Sequence, residues 1–149
     1  MLTNKGKYGL KALVHLAALP AGESALGADI AKAHNLPKKF LDAILNDLRN
    51  ANIIRAKKGR GGGYSLARPA KEILVGDIIR VLDGPLAPIA CASVTAYYPC
   101  QDCVSVDHCV VRMMMLDVRN AMSNVLDGTT LETLCARSNA RTPELMYYI

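Results

Sequence analysis

A glycine-rich, cationic turn between two short β-type segments is the feature that most limits what this chain can fold into. The sequence NIIRAKKGRGGGYSLAR predicts strands at Ile53–Ala56 and Gly63–Ala67, joined by the turn Lys57–Gly62. Strands this close in sequence, with glycines between them, favour an antiparallel hairpin. A loop that cradles a nucleotide phosphate would instead open a helix, and no GK[ST] sequence occurs, so the pattern disfavours a nucleotide site.

Three helical patterns precede this hairpin. Apolar residues recur at helical spacing over residues 7–19, 25–34 and 37–50. The residues predicted to face inward are Leu10, Leu13, Val14, Ala17 and Ala18, then Leu26, Ile30 and Ala33, then Phe40, Leu41, Ile44, Leu45 and Leu48. Three helices followed by a basic hairpin predict a mainly α, winged helix-turn-helix fold, in which a helix enters the DNA major groove and the hairpin is the wing.

Positive charge is concentrated in the same half of the chain. Residues 1–68 contain 12 Lys and Arg against 4 Asp and Glu, whereas residues 69–149 contain 6 against 9. This asymmetry indicates that the first half meets a polyanion. A solvated basic surface is an equally good interpretation of the charge alone.

The second half contains further helical patterns. They cover residues 74–84 and about 110–126, and a Thr129–Glu132 capping box predicts a last short helix. One stripe of the long helix is apolar: Val111, Met114, Met115, Val118, Met122 and Val125. The stripe is larger than a helix beside a small winged domain needs, so it predicts a long C-terminal dimerisation helix in a homodimer, with intramolecular core as the alternative. The chain divides into a DNA-binding domain (1–84), a cysteine-rich loop (85–109), and the dimerisation helix with its tail (110–149).

Four of the five cysteines lie in the stretch CASVTAYYPCQDCVSVDHC, with the spacing C-x8-C-x2-C-x5-C. They are Cys91, Cys100, Cys103 and Cys109. Thiolates are soft ligands that select iron–sulfur clusters, zinc or copper(I), and the spacing ranks zinc and iron–sulfur equally. A metal-free thiol switch, for example a Cys100–Cys103 disulfide, also remains open. Cys109 begins the long helix, where free N–H groups favour negative charge on its sulfur.

The sequence also predicts the cellular location of the protein and argues against an enzyme. It has no apolar run long enough to span a membrane and no signal-peptide pattern, so we expect a cytoplasmic protein without a membrane partner, in which thiols stay reduced. The CQDC sequence has no βαβ context and no paired general base, so a thiol oxidoreductase is a remote alternative and we expect no enzyme. His15 and Cys135 are interpreted as packed residues, and His108 as a solvent-facing residue rather than a ligand.

Several segments together resemble the Rrf2 family of bacterial transcription regulators. They are LTNKGKYGLKALVHLA, FLDAILNDLRNANIIRAKKGRGGGYSLARP, and ILVGDIIRVLDGPLAP followed by cysteines. The likeness runs from Leu2 to about Leu134, and the wing sequence is its most specific part. It implies a homodimeric regulator that binds double-stranded operator DNA. In many members, cysteines before the dimerisation helix hold a [2Fe–2S] or [4Fe–4S] cluster, which oxygen often destroys.

The resemblance assigns the cluster ligands one residue at a time. Cys91, Cys103 and Cys109 match the family's three cysteines, whereas Cys100 is an addition. The family's other fourth ligands are missing: no His follows Cys109, and the matching helix-1 positions are Lys7 and Lys11. The resemblance therefore implies that Cys100 completes an all-thiolate set.

The resemblance also assigns DNA contacts. They fall at the start of the third helix, on Lys38, Lys39 and Asp42, and on the wing, at Lys58, Gly59 and Arg60. A carboxylate such as that of Asp42 accepts from the cytosine amino group. Lys58 and Arg60 suit phosphate or minor-groove contacts. A solvated helix residue is the alternative interpretation of Asp42.

Overall fold

The computed structural model describes residues 2–141, and within that range it is a winged helix-turn-helix, as predicted. The helices are α1 (Asn4–Ala17), α2 (Gly27–His34), α3 (Lys38–Asn50), α4 (Val75–Asp83), α5 (Val110–Asp127) and α6 (Leu131–Arg141). The strands are β1 (Ile54–Lys57) and β2 (Gly63–Leu66), and short 3₁₀ turns cover Ala70–Glu72 and Ala90–Ala92. The final eight residues of the predicted C-terminal tail lie outside the described range.

The main apolar core joins the first four helices, the start of the hairpin and the start of α6. Its fully buried large side chains are Leu13, Ile30, Leu41, Ile44, Leu45, Leu48, Ile53, Ile54, Ile73, Ile78 and Leu131. The face of α3 predicted to point inward is therefore confirmed at four of its five positions. Burial of this many aliphatic side chains, at about 1.5–3 kcal/mol each, is the main favourable term in holding the helices together.

Helix α1 approaches α4 closely, at its glycines. A Cβ atom added to Gly9 would overlap Leu82 Cδ1, so a larger residue at this crossing would require the Leu82 side chain to move. Nearby, the carboxylate of Asp83 accepts hydrogen bonds from the backbone N–H groups of Thr3 (2.9 Å) and Gly6 (3.1 Å). Thr3 also caps α1, and the helix therefore begins at Asn4, three residues before the predicted start.

Three inward-facing predictions in α2 and α3 were wrong. Leu26 precedes α2 in an extended conformation and is exposed, and Ala33 is exposed too, because α2 turns Ile30 and Ala31 toward the core instead. Phe40 is also partly exposed: its ring packs edge-on against Tyr8, with 5.8 Å between centroids. Helical spacing predicted that these helices exist. It did not predict which residues at the edge of each apolar face stay exposed, because that depends on the neighbouring elements.

The hairpin is antiparallel, and its strands sit one residue from the predicted bounds. Ile54 pairs with Leu66, and Lys57 pairs with Gly63. A further bridge joins Ala25, just before α2, to Tyr64 in β2. The wing is therefore fastened to the helix-turn-helix at its own second strand.

The C-terminal helices pack back on the winged domain. Helix α5 packs on α4, and α6 packs on α1. The predicted capping box is shifted by one residue: the Thr133 N–H donates to Thr130 Oγ1 at 3.1 Å, while Thr129 Oγ1 donates to the Val125 carbonyl. No helix in the described range is long and apolar enough to cross a membrane.

Candidate functional site

The start of α3 presents charged side chains to solvent. Lys38, Lys39 and Asp42 are all exposed. Lys38 Nζ lies 2.6 and 2.8 Å from the two carboxylate oxygens of Asp42, one helical turn later. Asp42 is therefore charge-compensated in the free protein, and its carboxylate can face a polyanion with less repulsion than an isolated acid would meet.

One turn further along α3 lies a polar pair to which the sequence had assigned no role. Arg49 Nη2 donates to Asn46 Oδ1 at 2.8 Å, and both side chains are exposed. Asn46 follows Asp42 by four residues, so the two lie on the same side of the helix. Asparagine and arginine are the residue types that read adenine and guanine edges, and the i, i+4 spacing was the signal that could have identified them.

The wing tip, residues 57–62, is shaped by glycines and anchored at its base. Gly59 and Gly61 have φ angles of +91° and +68°, which L side chains rarely adopt. Gly63 has φ +130°, and a Cβ there would lie 2.6 Å from the Ala25 carbonyl oxygen. Ser24 Oγ donates to the Gly61 carbonyl at 3.1 Å. These contacts hold the exposed tip beside the start of α2.

The cations of the wing tip are unpaired. Within residues 2–141, Lys57, Lys58 and Arg60 form no ion pair, and all three are exposed. In contrast, Lys5 pairs with Asp47 at 2.7 Å on the α1 side of α3. The wing tip therefore presents three positive charges without an ion-pair partner among the described residues, and their long side chains can reach phosphates.

The cysteine loop, residues 91–109, brings two of its four thiols together. Cys91 is buried in the 3₁₀ turn, Cys100 is exposed, and their sulfur atoms are 3.9 Å apart. The hydrogen bond to Cys91 raises the pKa of the Cys100 thiol, and the charge of Cys91 acts in the same direction. The sequence offered a Cys100–Cys103 disulfide as one example of a thiol switch, and the structure adds the contact between Cys100 and Cys91.

The other end of the loop begins α5. Cys109 is the N-cap residue, and its sulfur accepts from the Arg112 backbone N–H at 3.4 Å. The same arginine donates from Nε to the Cys91 carbonyl oxygen at 3.0 Å. Arg112 therefore ties the buried end of the cysteine loop to the first turn of α5.

The described residues do not contain a preassembled metal centre. No group of three or more His, Cys, Asp or Glu side chains within residues 2–141 is arranged to hold a metal ion. Cys103 is half-buried, and His108 Nδ1 lies 2.9 Å from Ser105 Oγ. The donor set still fits an iron–sulfur cluster chemically, because four thiols are the usual ligand number. Binding would require the thiols of the loop to come closer together than they lie in the described residues.

An ion pair links α5 to the winged domain. Arg80 on α4 donates to both carboxylate oxygens of Asp127, each at 2.8 Å, and Ser123 Oγ donates to the same carboxylate. The hydrogen bond from Arg80 lowers the pKa of Asp127 and raises that of Arg80. Helix α4 also packs on α1 and α3, so this ion pair joins α5 to the helix that contacts both of them.

The face of α5 turned away from α4 is apolar and uncovered in the single chain. None of the α5 residues is fully buried. The apolar stripe of α5 is defined by Val111, Met114, Val118 and Val125, all of which are exposed, whereas Met115 and Met122 are half-buried. An exposed apolar surface of this kind marks a site of protein–protein interaction.

His15 and Cys135 pack as the sequence predicted. His15 Nδ1 lies 3.2 Å from His34 Nε2, so one imidazole donates to the other. Cys135 packs against the main core, and its burial raises the pKa of its thiol. Neither residue joins the cysteine loop.

Comparison with known proteins agrees with this architecture. The profile of the family Rrf2, described as "Iron-dependent Transcriptional regulator", matches residues 2–137. An Rrf2-like HTH-type transcriptional regulator of Rhodobacter capsulatus is 38% identical, over 93% of this chain and 95% of that protein.

Solved structures are similar as well. The structure of CymR, the global cysteine regulator of Bacillus subtilis, superposes with a TM-score of 0.76 at 32% identity and covers 92% of this chain and 97% of that one. The structure of T. potens IscR has a TM-score of 0.75 at 27% identity, covering 95% of this chain and 90% of that one. The likeness therefore extends through α5 and α6 as well as the winged domain.

Proposed function

Because the chain belongs to the Rrf2 family of transcriptional regulators, we propose that it binds operator DNA as a homodimer and that its cysteine loop controls this binding. The relatives are regulators and not enzymes. The observation that carries the proposal is the arrangement of one chain: free cations at the wing tip, an exposed α3, and a four-thiol loop fastened to the helix with the apolar stripe.

The start of α3 would read bases in the major groove. Asp42 would accept from a cytosine amino group, with Lys38 and Lys39 beside it for phosphate or base contacts. Asn46, on the same side of the helix, would extend this reading by one turn. The wing tip would hold the phosphate backbone through Lys58 and Arg60, with Gly59 allowing close approach.

The salt dependence of DNA binding tests the wing. Lys58→Gln is expected to weaken operator binding and to reduce the slope of log K against log salt by about one, because one phosphate contact is lost. Fluorescence anisotropy at several salt concentrations measures both. The control is Lys71→Gln, an exposed lysine away from the wing tip, which should leave the slope unchanged. An unchanged slope for Lys58→Gln would place the wing away from DNA.

The homodimer would form through the apolar stripe of α5. Pairing the stripe with that of a second copy removes apolar side chains from water and brings two α3 helices to one DNA duplex. Two half-sites are read when they lie about 34–36 Å apart, or a multiple of that. A small change in the direction of α5 therefore alters how well both helices fit.

For the sensor, the residues that would hold an iron–sulfur cluster are Cys91, Cys100, Cys103 and Cys109. A [2Fe–2S] or [4Fe–4S] cluster bound there would supply a group whose presence depends on iron, redox state or nitric oxide. Cys109 presents its sulfur at the N-terminus of α5, where negative charge is stabilised. Arg112 positions the segment of Cys91 against the same turn. Closing the loop on these ligands would pull on α5, and the Arg80–Asp127 pair would transmit the movement to the winged domain.

Anaerobic purification tests the cluster. The protein is expected to be brown, with visible absorption and stoichiometric iron and sulfide, and its DNA affinity should change when the cluster is removed. Cys100→Ser should lose the cluster, whereas Cys135→Ser, which changes the thiol outside the loop, should keep it. A colourless, iron-free anaerobic preparation would overturn the cluster and leave DNA binding intact.

A specific contact favours a second sensing chemistry, a dithiol switch. Cys91 and Cys100 are 3.9 Å apart before any metal binds. Oxidation by a peroxide would join the two sulfurs, release their two protons, and pass two electrons to the peroxide, which is reduced to water or an alcohol. One similar structure is that of a global cysteine regulator, which makes thiol chemistry a reasonable signal here.

Peptide mass spectrometry of metal-free protein treated with hydrogen peroxide separates the two chemistries. We expect a Cys91–Cys100 disulfide and a change in operator affinity that Cys100→Ser abolishes and Cys135→Ser does not. A Cys100–Cys103 disulfide would show that the loop rearranges before it reacts. Formation of neither bond would overturn the dithiol switch.

A further inference from the structure

A cavity of about 560 Å³ lies between α1, the end of α2 and α6. Its apolar lining includes Leu10 and Val14 of α1 and Leu134 of α6. The volume is in the range of about 300–1,000 Å³ that is common for small-molecule sites. None of the DNA-binding or cysteine-loop residues discussed above lines it.

The polar lining of this cavity is cationic. Lys7 and Lys11 of α1 and Arg137 of α6 line it, together with the imidazole of His34, and none of the lining residues within the described range is acidic. Lys7 and Lys11 are four residues apart on one helix, where like charges repel and destabilise the helix. Helix stability therefore does not explain this pair of lysines. An anion bound between α1 and α6 would reduce the repulsion between their charges.

His34 adds a neutral hydrogen-bonding group. Burial lowers the pKa of His34, and the charges of His15 and Lys11 lower it further, so the imidazole is uncharged near neutral pH. The contact with His15 at 3.2 Å fixes the ring. An apolar lining with converging cations and one oriented imidazole is chemically complementary to an acid group carried on an apolar body.

We propose that this cavity binds a small organic anion with an apolar body, for which the acid group contacts Lys11 and Arg137 and the body packs on Leu10, Val14 and Leu134. The ligand would bridge α1, which packs on α3, and α6, which follows the dimerisation helix. No cysteine-loop residue of the same chain lines this site for an organic acid. Binding of the ligand itself does not depend on the proposed DNA-binding function.

Octanoate is the probe, and 1-octanol, with the same chain length but no charge, is its matched control. Isothermal titration of the full chain below the micellar range should show saturable octanoate binding, and at least tenfold weaker binding of 1-octanol. Lys11→Gln and Arg137→Gln should each weaken octanoate binding about tenfold. Lys32→Gln changes an exposed lysine of α2 that does not line the cavity and should bind octanoate as the wild type does.

Three results would overturn the proposal: no octanoate binding, equal binding of octanoate and 1-octanol, or unchanged binding by both variants. If octanoate does not bind, and Lys11→Gln and Arg137→Gln instead weaken self-association in sedimentation experiments, the cavity receives a second copy of the chain. Operator binding, measured separately by anisotropy, reports on the proposed DNA-binding function. Its failure would leave the octanoate result standing.

Discussion

At the scale of single residues, the ion pair of Asp42 on its own helix competes with its proposed contact to DNA. In the free protein both of its carboxylate oxygens accept from Lys38, one turn earlier on α3. An exposed pair of this kind contributes only about 0–1 kcal/mol to stability, so DNA can separate it at low cost. The ammonium group would then turn to a phosphate while the carboxylate faces a base.

Replacing this carboxylate is therefore expected to lower the sequence specificity of DNA binding and to raise the affinity for DNA of unrelated sequence. Asp42→Asn should bind unrelated DNA more tightly, because one negative charge facing the polyanion is removed. It should also lose about 1–3 kcal/mol of discrimination at one base pair. Competition binding between a duplex selected by the wild type and a scrambled duplex measures the ratio.

Asp47→Asn is the matched control, because Asp47 pairs with Lys5 on the α1 side of the same helix. It should leave the discrimination unchanged. Equal discrimination by Asp42→Asn and the wild type would assign Asp42 to the solvated surface.

The candidate site residues could be predicted only where regular secondary structure fixes the direction of their side chains. Helical spacing placed Lys38, Lys39 and Asp42 outside the buried face of α3, and they are exposed. The contact of Cys100 with Cys91 could not be predicted, because an irregular loop has no periodicity that brings distant residues together. The linear proximity of Cys103 suggested a Cys100–Cys103 disulfide as one example, and that pairing stays a prediction.

At the scale of elements, α4 and α5 are joined by one ion pair and by the packing of Leu126 on Val75 and Ile79. Arg80 meets Asp127 with two parallel hydrogen bonds, and a Cβ on Gly76 would lie 1.9 Å from an Asp127 oxygen. The glycine therefore leaves the space that the carboxylate occupies. Sequence patterns predicted both helices, but not this contact, because neither residue belongs to an apolar stripe.

Asp127→Asn should destabilise the protein by on the order of 1 kcal/mol at neutral pH, as expected for a partly exposed ion pair. The folded-state pKa of Asp127 lies below its unfolded value, so the contribution is fully present above that unfolded value of about 3.9. It is lost as the pH falls from there through the folded-state pKa. The raised pKa of Arg80 affects stability only in strong alkali.

Urea unfolding of wild type and Asp127→Asn over a range of pH checks this dependence. The difference in unfolding free energy should stay constant between about pH 5 and 7 and shrink below about pH 4. Asp77→Asn is the control, since Asp77 contacts the same arginine at 3.2 Å but is more exposed. A difference that persists unchanged at low pH would mean that Asp127 acts by packing rather than charge.

At the scale of the whole molecule, the apolar stripe of α5 is the surface through which we propose that two copies of the chain pair. The winged domain covers one side of the helix, and the stripe remains open on the other. The sequence predicted this outcome, since the stripe was larger than a single small domain needs. The surface that packs on the stripe and the crossing angle could not be predicted. The apolar pattern of α5 is the same whichever surface covers it.

Val118→Lys, in the middle of the stripe, is expected to dissociate the homodimer, because pairing would bury an uncompensated charge. Sedimentation velocity should show a shift to monomer, with a large loss of operator affinity and unchanged helix content. The control is Asn120→Lys, which adds the same side chain on the opposite side of α5. If both variants remain dimeric, another surface joins the two copies.

Arg112 fixes both ends of the cysteine loop, and this has a consequence for how quickly its thiols can find one another. With Cys91 and Cys109 held to the same helical turn, the 19-residue stretch between them is already a closed ring. The conformational entropy of closing that ring is then lost when the chain folds, and not when the thiols bind a cluster or react. Short tethers keep such groups at effective concentrations in the millimolar range, so Cys100 and Cys103 would meet their partners without a search through the unfolded chain.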